Sequence, residues 1–316
     1  MAVVIAFIAN IAVAIAKTAA ALVTGSASLV AEALHSWADA GNEVFLLFAE
    51  RSGRRRRDRA HPLGYGRDVY VWSLFAAFGL FTIGAVLSIA TGVQELLEPE
   101  AVTDYGVGYA VLAVAAVLEG VSLAQSIRQV RRETSRLDRE PLDYVLNGSN
   151  ATLRAVVFED VAALVGLALA AGALALHQVT GAAEWDSIGS ILIGVLLGVV
   201  AVLLIQRNRR FLVGAPPLES VRREVLRRVL LHAAISRVTF LHLEFVGPGQ
   251  LLLVAAVDLV DDDAESVVAV RLRQVSDDLE RHDNIAIAAL TLALPDEPSL
   301  DPDEPFDQLD AKAERG

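Results

Sequence analysis

Residues 28–46 read SLVAEALHSWADAGNEVFL, and the interpretation of the whole chain starts from this stretch. It is apolar and long enough to cross a bilayer as an α-helix, which takes about 20 residues. Four titratable side chains interrupt it at spacings of three, four and four residues, and these are Glu32, His35, Asp39 and Glu43. A helix places all four on one face.

This stripe is costly, because a charged side chain at the bilayer centre costs about 2.5–3.5 kcal/mol even on the lenient insertion scale. Helix formation gives no reason for it, whereas a pathway for cations does. His35 and Asp39, one turn apart, offer an imidazole nitrogen and a carboxylate, which is half of a tetrahedral divalent-metal site. The alternative is a buried polar network that joins helices, and adjacent carboxylates without a cation do this poorly. Asn42 either lines the same pathway or makes a helix–helix hydrogen bond.

The composition agrees with a membrane protein. Hydrophobic residues make up 54% of the 316, and the mean hydropathy is +0.48. There is no cysteine, so any metal binds through nitrogen and oxygen. The net charge of −12 hides basic runs beside the apolar stretches, and these do not indicate a nucleic-acid partner. The metalloprotease pattern HExxH is absent, and we expect no enzymatic activity.

Six hydrophobic spans are predicted, and the second and fifth are assigned the intramembrane charges. They lie at roughly 3–24, 28–49, 69–94, 106–127, 150–176 and 187–206. Arginines cluster after the second, fourth and sixth spans, and the other connections contain no Lys or Arg. By the positive-inside rule both termini are cytoplasmic. The start of the chain lacks a basic region before its apolar run, so we expect a retained first span rather than a signal peptide.

The pattern changes after the sixth span. Residues 207–294 indicate the order helix, strand, strand, helix, strand, with a turn at Gly247-Pro248-Gly249. This αββαβ order with an antiparallel sheet predicts a small cytoplasmic ferredoxin-like α+β domain. Residues 295–316 contain eight acidic and two basic residues, which predicts a disordered acidic tail. The fold class is therefore an all-α six-helix transmembrane bundle over 1–206 followed by an α+β domain.

The motif SLVAEALHSWAD, the sequence HPLGYGR after it and the predicted architecture resemble the cation diffusion facilitator family of metal/proton antiporters, over about residues 3–294. The resemblance implies a homodimer in a lipid bilayer that exports a divalent cation from the cytoplasm in exchange for protons, without a cofactor. Zinc suits mixed nitrogen and oxygen ligands, and manganese, iron and cobalt are the alternatives. The alternative function is a membrane-anchored metal sensor or scaffold without transport. We expect a multi-pass protein of a bacterial inner membrane.

The resemblance also implies a ligand set. Family members hold the metal with two residues on the second helix and two on the fifth, which correspond here to His35, Asp39 and Asp160. Val156 stands where many members have histidine. A Glu-Asp pair on this helix resembles a branch of the family that includes mitochondrial zinc transporters. Glu159 therefore either supplies the missing ligand or, about 100° around the helix from Asp160, faces a neighbouring helix.

Some members of the family bind a second metal in the loop after the second span. Asp58 and His61 match that pattern, but Tyr65 replaces its second histidine, so two candidate ligands are left. The alternative is a structural or solvated histidine. The cytoplasmic domain lacks the usual histidine and acid before Pro295, so we expect little or no metal there.

Overall fold

A computed structural model of the chain describes residues 2–99, 102, 104–137, 140–261, 264–282 and 284–304. These residues divide into two compact units. The helical unit contains the chain up to Ser52 together with Asp68–Arg209, and the sheet unit contains Gly53–Arg67 and the chain from Arg210 onward. The loop that carries the HPLGYGR motif therefore belongs to the sheet unit.

Helices make up the helical unit, and all six apolar stretches form helix. The helices are α1 (Ala2–Thr24), α2 (Ala27–Gly53), α3 (Asp68–Gly79), α4 (Leu87–Leu97), α5 (Tyr105–Leu137), α6 (Pro141–Asn147), α7 (Ala151–Thr180) and α8 (Glu184–Leu212). A π-helical segment, Leu80–Val86, joins α3 to α4. The third apolar stretch is thus one continuous helical element of 30 residues, Asp68–Leu97.

Four of the described helical elements are long and apolar enough to cross a membrane by length and composition. They are Asp68–Leu97, Tyr105–Ser135, Ala151–Thr180 and Glu184–Leu212. A shorter apolar helix covers Asn10–Thr24. Large apolar side chains such as Phe78, Val117 and Val199 lie exposed on the outside of these elements. Such surface is unfavourable in water and suits contact with lipid.

The ends of α7 are set by local sequence. The side-chain oxygen of Asn150 accepts a hydrogen bond of 3.0 Å from the backbone N–H of Leu153, which caps the first turn. Gly181, at φ 70°, ends the helix in the left-handed conformation that glycine adopts without strain. Because the helix is unbroken between these ends, Val156, Glu159 and Asp160 have fixed directions around one axis.

The sheet unit follows the order helix, strand, strand, helix, strand. Its elements are α9 (Glu219–Leu230), β1 (Ile235–Gly247), β2 (Gln250–Leu259), α10 (Glu265–Glu280) and β3 (Ile285–Leu292). The sheet has the order β1-β2-β3. Strands β1 and β2 are antiparallel, with Leu243 opposite Leu253, whereas β2 and β3 are parallel, with Leu253 opposite Ala288.

The prediction of an antiparallel sheet was therefore wrong for the second strand pair. A tight turn reverses the chain between β1 and β2, which makes that pair antiparallel. In contrast, α10 returns the chain to the end of the sheet where β2 begins, so β3 runs in the same direction as β2. The core of this unit contains Leu226, Val238, Leu253 and Leu279, which come from both helices and two strands.

The segment after β3 continues along the sheet unit. The backbone N–H of Leu300 donates a hydrogen bond of 2.7 Å to the carbonyl oxygen of Val238. Residues 295–304 thus have a defined path, although the sequence predicts a disordered tail from 295 onward. Residues 305–316 of the predicted tail lie outside the described residues.

Candidate cation site

A cavity of about 70 Å³ lies among the helices of the helical unit. This volume holds several waters. Five carboxylates from three helices line it, and these are Asp39 and Glu43 of α2, Glu119 of α5, and Glu159 and Asp160 of α7. The other lining residues are Asn10, Val13, Ser36, Leu46, Ser122 and Val156. Such a concentration of acids inside a membrane helix bundle indicates a functional site rather than packing.

Residues of α2 present a regular stripe to this cavity. Ser36, Asp39 and Glu43 line it at positions i, i+3 and i+7, which the helical period brings onto one face. The amide nitrogen of Asn10 on α1 donates a hydrogen bond of 2.7 Å to Oε1 of Glu43. The predicted stripe therefore faces a cavity along part of its length.

The first acid of the stripe has another partner. Nζ of Lys17 on α1 donates to Oε2 of Glu32 at 2.9 Å, and both side chains are fully buried. Oε1 of Glu32 points toward α7, where a Cβ on Gly166 would lie 2.4 Å from it. A side chain at position 166 would require this carboxylate to shift, so Glu32 forms its ion pair in a tightly packed place outside the cavity lining.

His35 is completely buried next to Asp39. Its Nδ1 lies 3.5 Å from Oδ1 of Asp39. Among the described residues neither ring nitrogen of His35 has a hydrogen-bond partner. The imidazole is not part of the cavity lining, and its contact with the site is through Asp39.

The α7 residues line the same cavity as those of α2. Asp160 accepts hydrogen bonds from the hydroxyls of Ser122 and Ser126 on α5, at 2.9 and 2.8 Å. Glu159 lines the cavity and also accepts a hydrogen bond from the side-chain amide of Asn42. The Glu159 side chain therefore faces the cavity and also contacts the neighbouring helix α2. Of the two roles expected for Asn42, the structure has the helix–helix hydrogen bond. Val156 lies in the cavity wall.

The candidate ligands are neighbours but do not form a ready-made metal site. Within the part of the chain that the structure describes, no three His, Asp or Glu groups are close enough together to hold a metal ion. Asp39, Glu159 and Asp160 share one cavity, and His35 contacts the first of them. The assignment of these four residues as ligands stays a prediction.

Two charged residues of this region were not predicted to face the site. Assigning the intramembrane charges only to the second and fifth spans was wrong. The first span, α1, contains Lys17, and the fourth span, α5, contains Glu119. The signal was available, since each is a lone charge inside an otherwise apolar stretch. What the sequence does not reveal is that one faces the cavity and the other neutralises Glu32.

The second candidate site, in the loop of the sheet unit, has a different character. Oδ1 of Asp58 accepts from the backbone N–H groups of Ala60 and His61 at 2.9 and 2.8 Å, and Oδ2 accepts from the Tyr65 hydroxyl at 2.8 Å. The Tyr65 hydroxyl and the His61 backbone keep the pKa of the Asp58 carboxyl below its usual range. The rings of His61 and Tyr65 are in contact, with centroids 4.0 Å apart. Asp58 therefore organises the loop.

Comparison with known proteins identifies the family of the chain. The family described as "Cation efflux transmembrane domain" matches residues 3–213. Metal tolerance protein C4 of Arabidopsis thaliana is 35% identical over 230 residues, 73% of this chain and 50% of that protein. The mitochondrial proton-coupled zinc antiporter SLC30A9 of Homo sapiens is 34% identical over 198 residues, 63% of this chain and 35% of that protein.

A bacterial relative is also similar. The cation-efflux pump FieF of Escherichia coli (strain K12 / DH10B) is 30% identical over 132 residues, 40% of this chain and 43% of that protein. The matches thus span half or less of each relative. Since the family match covers most of the chain, the chain belongs to the cation diffusion facilitator family. It is an integral membrane protein of a family of cation transporters, not of enzymes.

Proposed function

We propose that this chain is a homodimeric antiporter that exports a divalent cation, zinc above all, from the cytoplasm in exchange for protons. The observation that carries the proposal is the cavity that Asp39, Glu159 and Asp160 line together from α2 and α7. Three neighbouring carboxylates inside a membrane protein repel one another, and a divalent cation removes that repulsion. A cation is therefore the ligand with the largest electrostatic reason to enter.

The donor set supports a transition metal. The candidate ligands are His35, Asp39 and Asp160, with Glu159 as the fourth. Imidazole with carboxylates suits zinc, and it discriminates against magnesium and calcium, which prefer oxygen ligands alone. Since carboxylates outnumber imidazole here, manganese, iron and cobalt are the alternative substrates. The names of two relatives, a zinc antiporter and a cation-efflux pump, support the same substrate class.

Proton coupling follows from the same side chains. A metal binds only ionised carboxylates and neutral imidazole, so protons and metal compete for one set of groups. Alternate loading with metal and with protons is the simplest cycle that such a site performs. No further cofactor is required, and the transported ion itself is the substrate.

The membrane arrangement in this proposal has six spans with both termini and the sheet unit in the cytoplasm, because the arginine-rich connections lie on one side. The proposed domains are a transmembrane domain over 1–206 and a cytoplasmic dimerisation domain over 207–294. The expected bacterial inner membrane has no support from the relatives, one of which is mitochondrial by name.

The decisive experiment is metal flux into liposomes that contain the purified full-length protein. Zinc, manganese, iron and cobalt are compared with and without a pH gradient. We expect zinc flux into the liposomes to increase when the liposome interior is acidified, because protons then leave as zinc enters. Binding of zinc without flux would replace the transporter with the metal sensor or scaffold, the second function considered for this sequence.

A further inference from the structure

Glu119 is one of two carboxylates of the cavity that the family-based ligand set does not use, and the other is Glu43. Glu119 lies on α5 three residues before Ser122 and seven before Ser126, and both serines donate hydrogen bonds to Asp160. Positions i, i+3 and i+7 share one face of a helix. The face of α5 that holds Asp160 therefore also directs Glu119 toward the cavity, where it is a lining residue.

The hydrogen bonds of the five acids separate them into two groups. Glu43, Glu159 and Asp160 each accept a hydrogen bond from a neutral side chain, which partly replaces the water that they lose. Oδ1 of Asp39 accepts none among the described residues, although His35 lies beside it. No hydrogen bond to Glu119 is found among these residues either. Glu119 also has no ion pair there, because the nearby cation Lys17 is bound to Glu32. The Glu119 carboxylate is thus available to bind a cation.

A second observation points to a ligand at the same place. Ser36 lines the cavity and is only 4% exposed, and its Oγ has no hydrogen-bond partner within the described part of the chain. A buried hydroxyl without a partner costs about 1–3 kcal/mol unless something in the cavity satisfies it. A metal ion with its remaining waters would do so. A group that brings positive charge and water therefore suits this cavity.

We infer that Glu119 is a direct ligand of the transported cation, supplying from α5 the donor that Val156 does not supply from α7. The inference rests on the proposed function and names a further residue of the same site. Val156 occupies the wall of the same cavity, so an apolar side chain stands where a ligand is missing and a free carboxylate stands nearby. Ser36 holds a water of the bound ion.

The test measures zinc binding by calorimetry on full-length protein, together with flux. Removing a ligand should weaken the affinity at least as much as the roughly 10- to 100-fold known for supporting residues. We expect this loss for Glu119→Gln, with an unchanged or higher Tm because a partly buried charge is gone. Glu133→Gln is the matched control, since it makes the same change on α5 outside the cavity lining. It should stay within about twofold of the wild type.

A rescue experiment separates ligation from a structural role. Val156→His adds an imidazole to the same cavity wall, and in the Glu119→Gln background we expect it to restore most of the zinc affinity. A structural defect at Glu119 would not respond to a new ligand elsewhere. The comparison is a double-mutant cycle, and the sign of its coupling energy is the readout.

The outcomes distinguish this inference from the proposed function. Wild-type zinc affinity and flux in Glu119→Gln, together with loss of both in Asp39→Ala, would overturn the role of Glu119 and leave the antiporter in place. Loss of binding in Glu119→Gln without any recovery on adding Val156→His would also overturn it. Absence of zinc flux in the wild-type protein would instead overturn the proposed function.

Discussion

The cavity among the helices and the loop around Asp58 both contain acids that match family metal sites, yet their oxygen atoms are used differently. In the loop, both carboxylate oxygens of Asp58 already accept hydrogen bonds from the chain around them. In the cavity, Oδ1 of Asp39 has no hydrogen-bond partner among the described residues. A carboxylate whose lone pairs are occupied by its own loop has little to offer a cation.

The energetic setting of the two places differs in the same direction. The loop carboxylate is exposed to water, so its charge is well solvated without a metal. The acids in the cavity are enclosed by the helices of a membrane protein, where an ionised carboxylate is costly until a cation compensates for it. Matching residue types therefore indicate a metal site only where the surroundings leave the charge unbalanced.

The largest expected effect separates the two places directly. Asp39→Ala and Asp160→Ala should each abolish zinc flux while expression and oligomeric state stay near wild type, because losing a carboxylate eases membrane insertion. Glu159→Gln should weaken binding without eliminating it, since Asn42 also uses this side chain. Flux assays with size-exclusion chromatography measure both properties. Near wild-type zinc flux in Asp39→Ala would show that the metal site does not include Asp39 of α2.

A second effect concerns the ion pair beside the cavity. Lys17→Met leaves Glu32 buried without its partner, and breaking a buried pair costs about 3–5 kcal/mol. We expect a large drop in Tm for Lys17→Met in detergent. The double variant Lys17→Met/Glu32→Gln should recover most of that Tm. The exposed pair Arg227–Asp303 is the control, because surface pairs contribute at most about 1 kcal/mol. Equal Tm losses at the two pairs would contradict the structural role of Lys17.

Proton competition should be confined to the cavity. Zinc displaces protons from carboxylates and imidazole, so the apparent affinity should fall between pH 7.5 and pH 6. One released proton per metal lowers it by at most about tenfold per pH unit. Calorimetry in buffers of different ionisation enthalpy counts those protons. A count of zero would exclude antiport through these side chains.

The smallest effect is expected in the loop. Asp58→Asn should leave zinc flux within about twofold, because the carboxylate holds the loop and not the ion. The folded pKa of Asp58 is lowered, so its contribution to stability is present above its unfolded pKa of about 3.9 and is lost as the pH falls through the folded value. The free energies of unfolding of the wild type and of Asp58→Asn should therefore differ at neutral pH and become equal in acid. Loss of flux in Asp58→Asn would show that the loop binds metal after all.

Several features followed from the sequence alone because they depend on local chemistry and chain period. The spacing that puts Glu32, His35, Asp39 and Glu43 on one face is a property of any helix, and the order of helices and strands follows from hydrophobic periodicity. Capping by Asn150 and the stop at Gly181 are equally local, although neither was predicted. Family resemblance in SLVAEALHSWAD then indicated transport of a divalent cation.

Tertiary structure decided what these residues face. The direction of Glu159 depends on its hydrogen bond with Asn42 of another helix. Glu119 has no ion pair among the described residues because Lys17 pairs with Glu32. The parallel pairing of β3 likewise depends on where α10 returns the chain. Periodicity fixes which side chains share a face, but only the packing of helices from distant parts of the chain determines whether a buried charge meets a partner or an empty space.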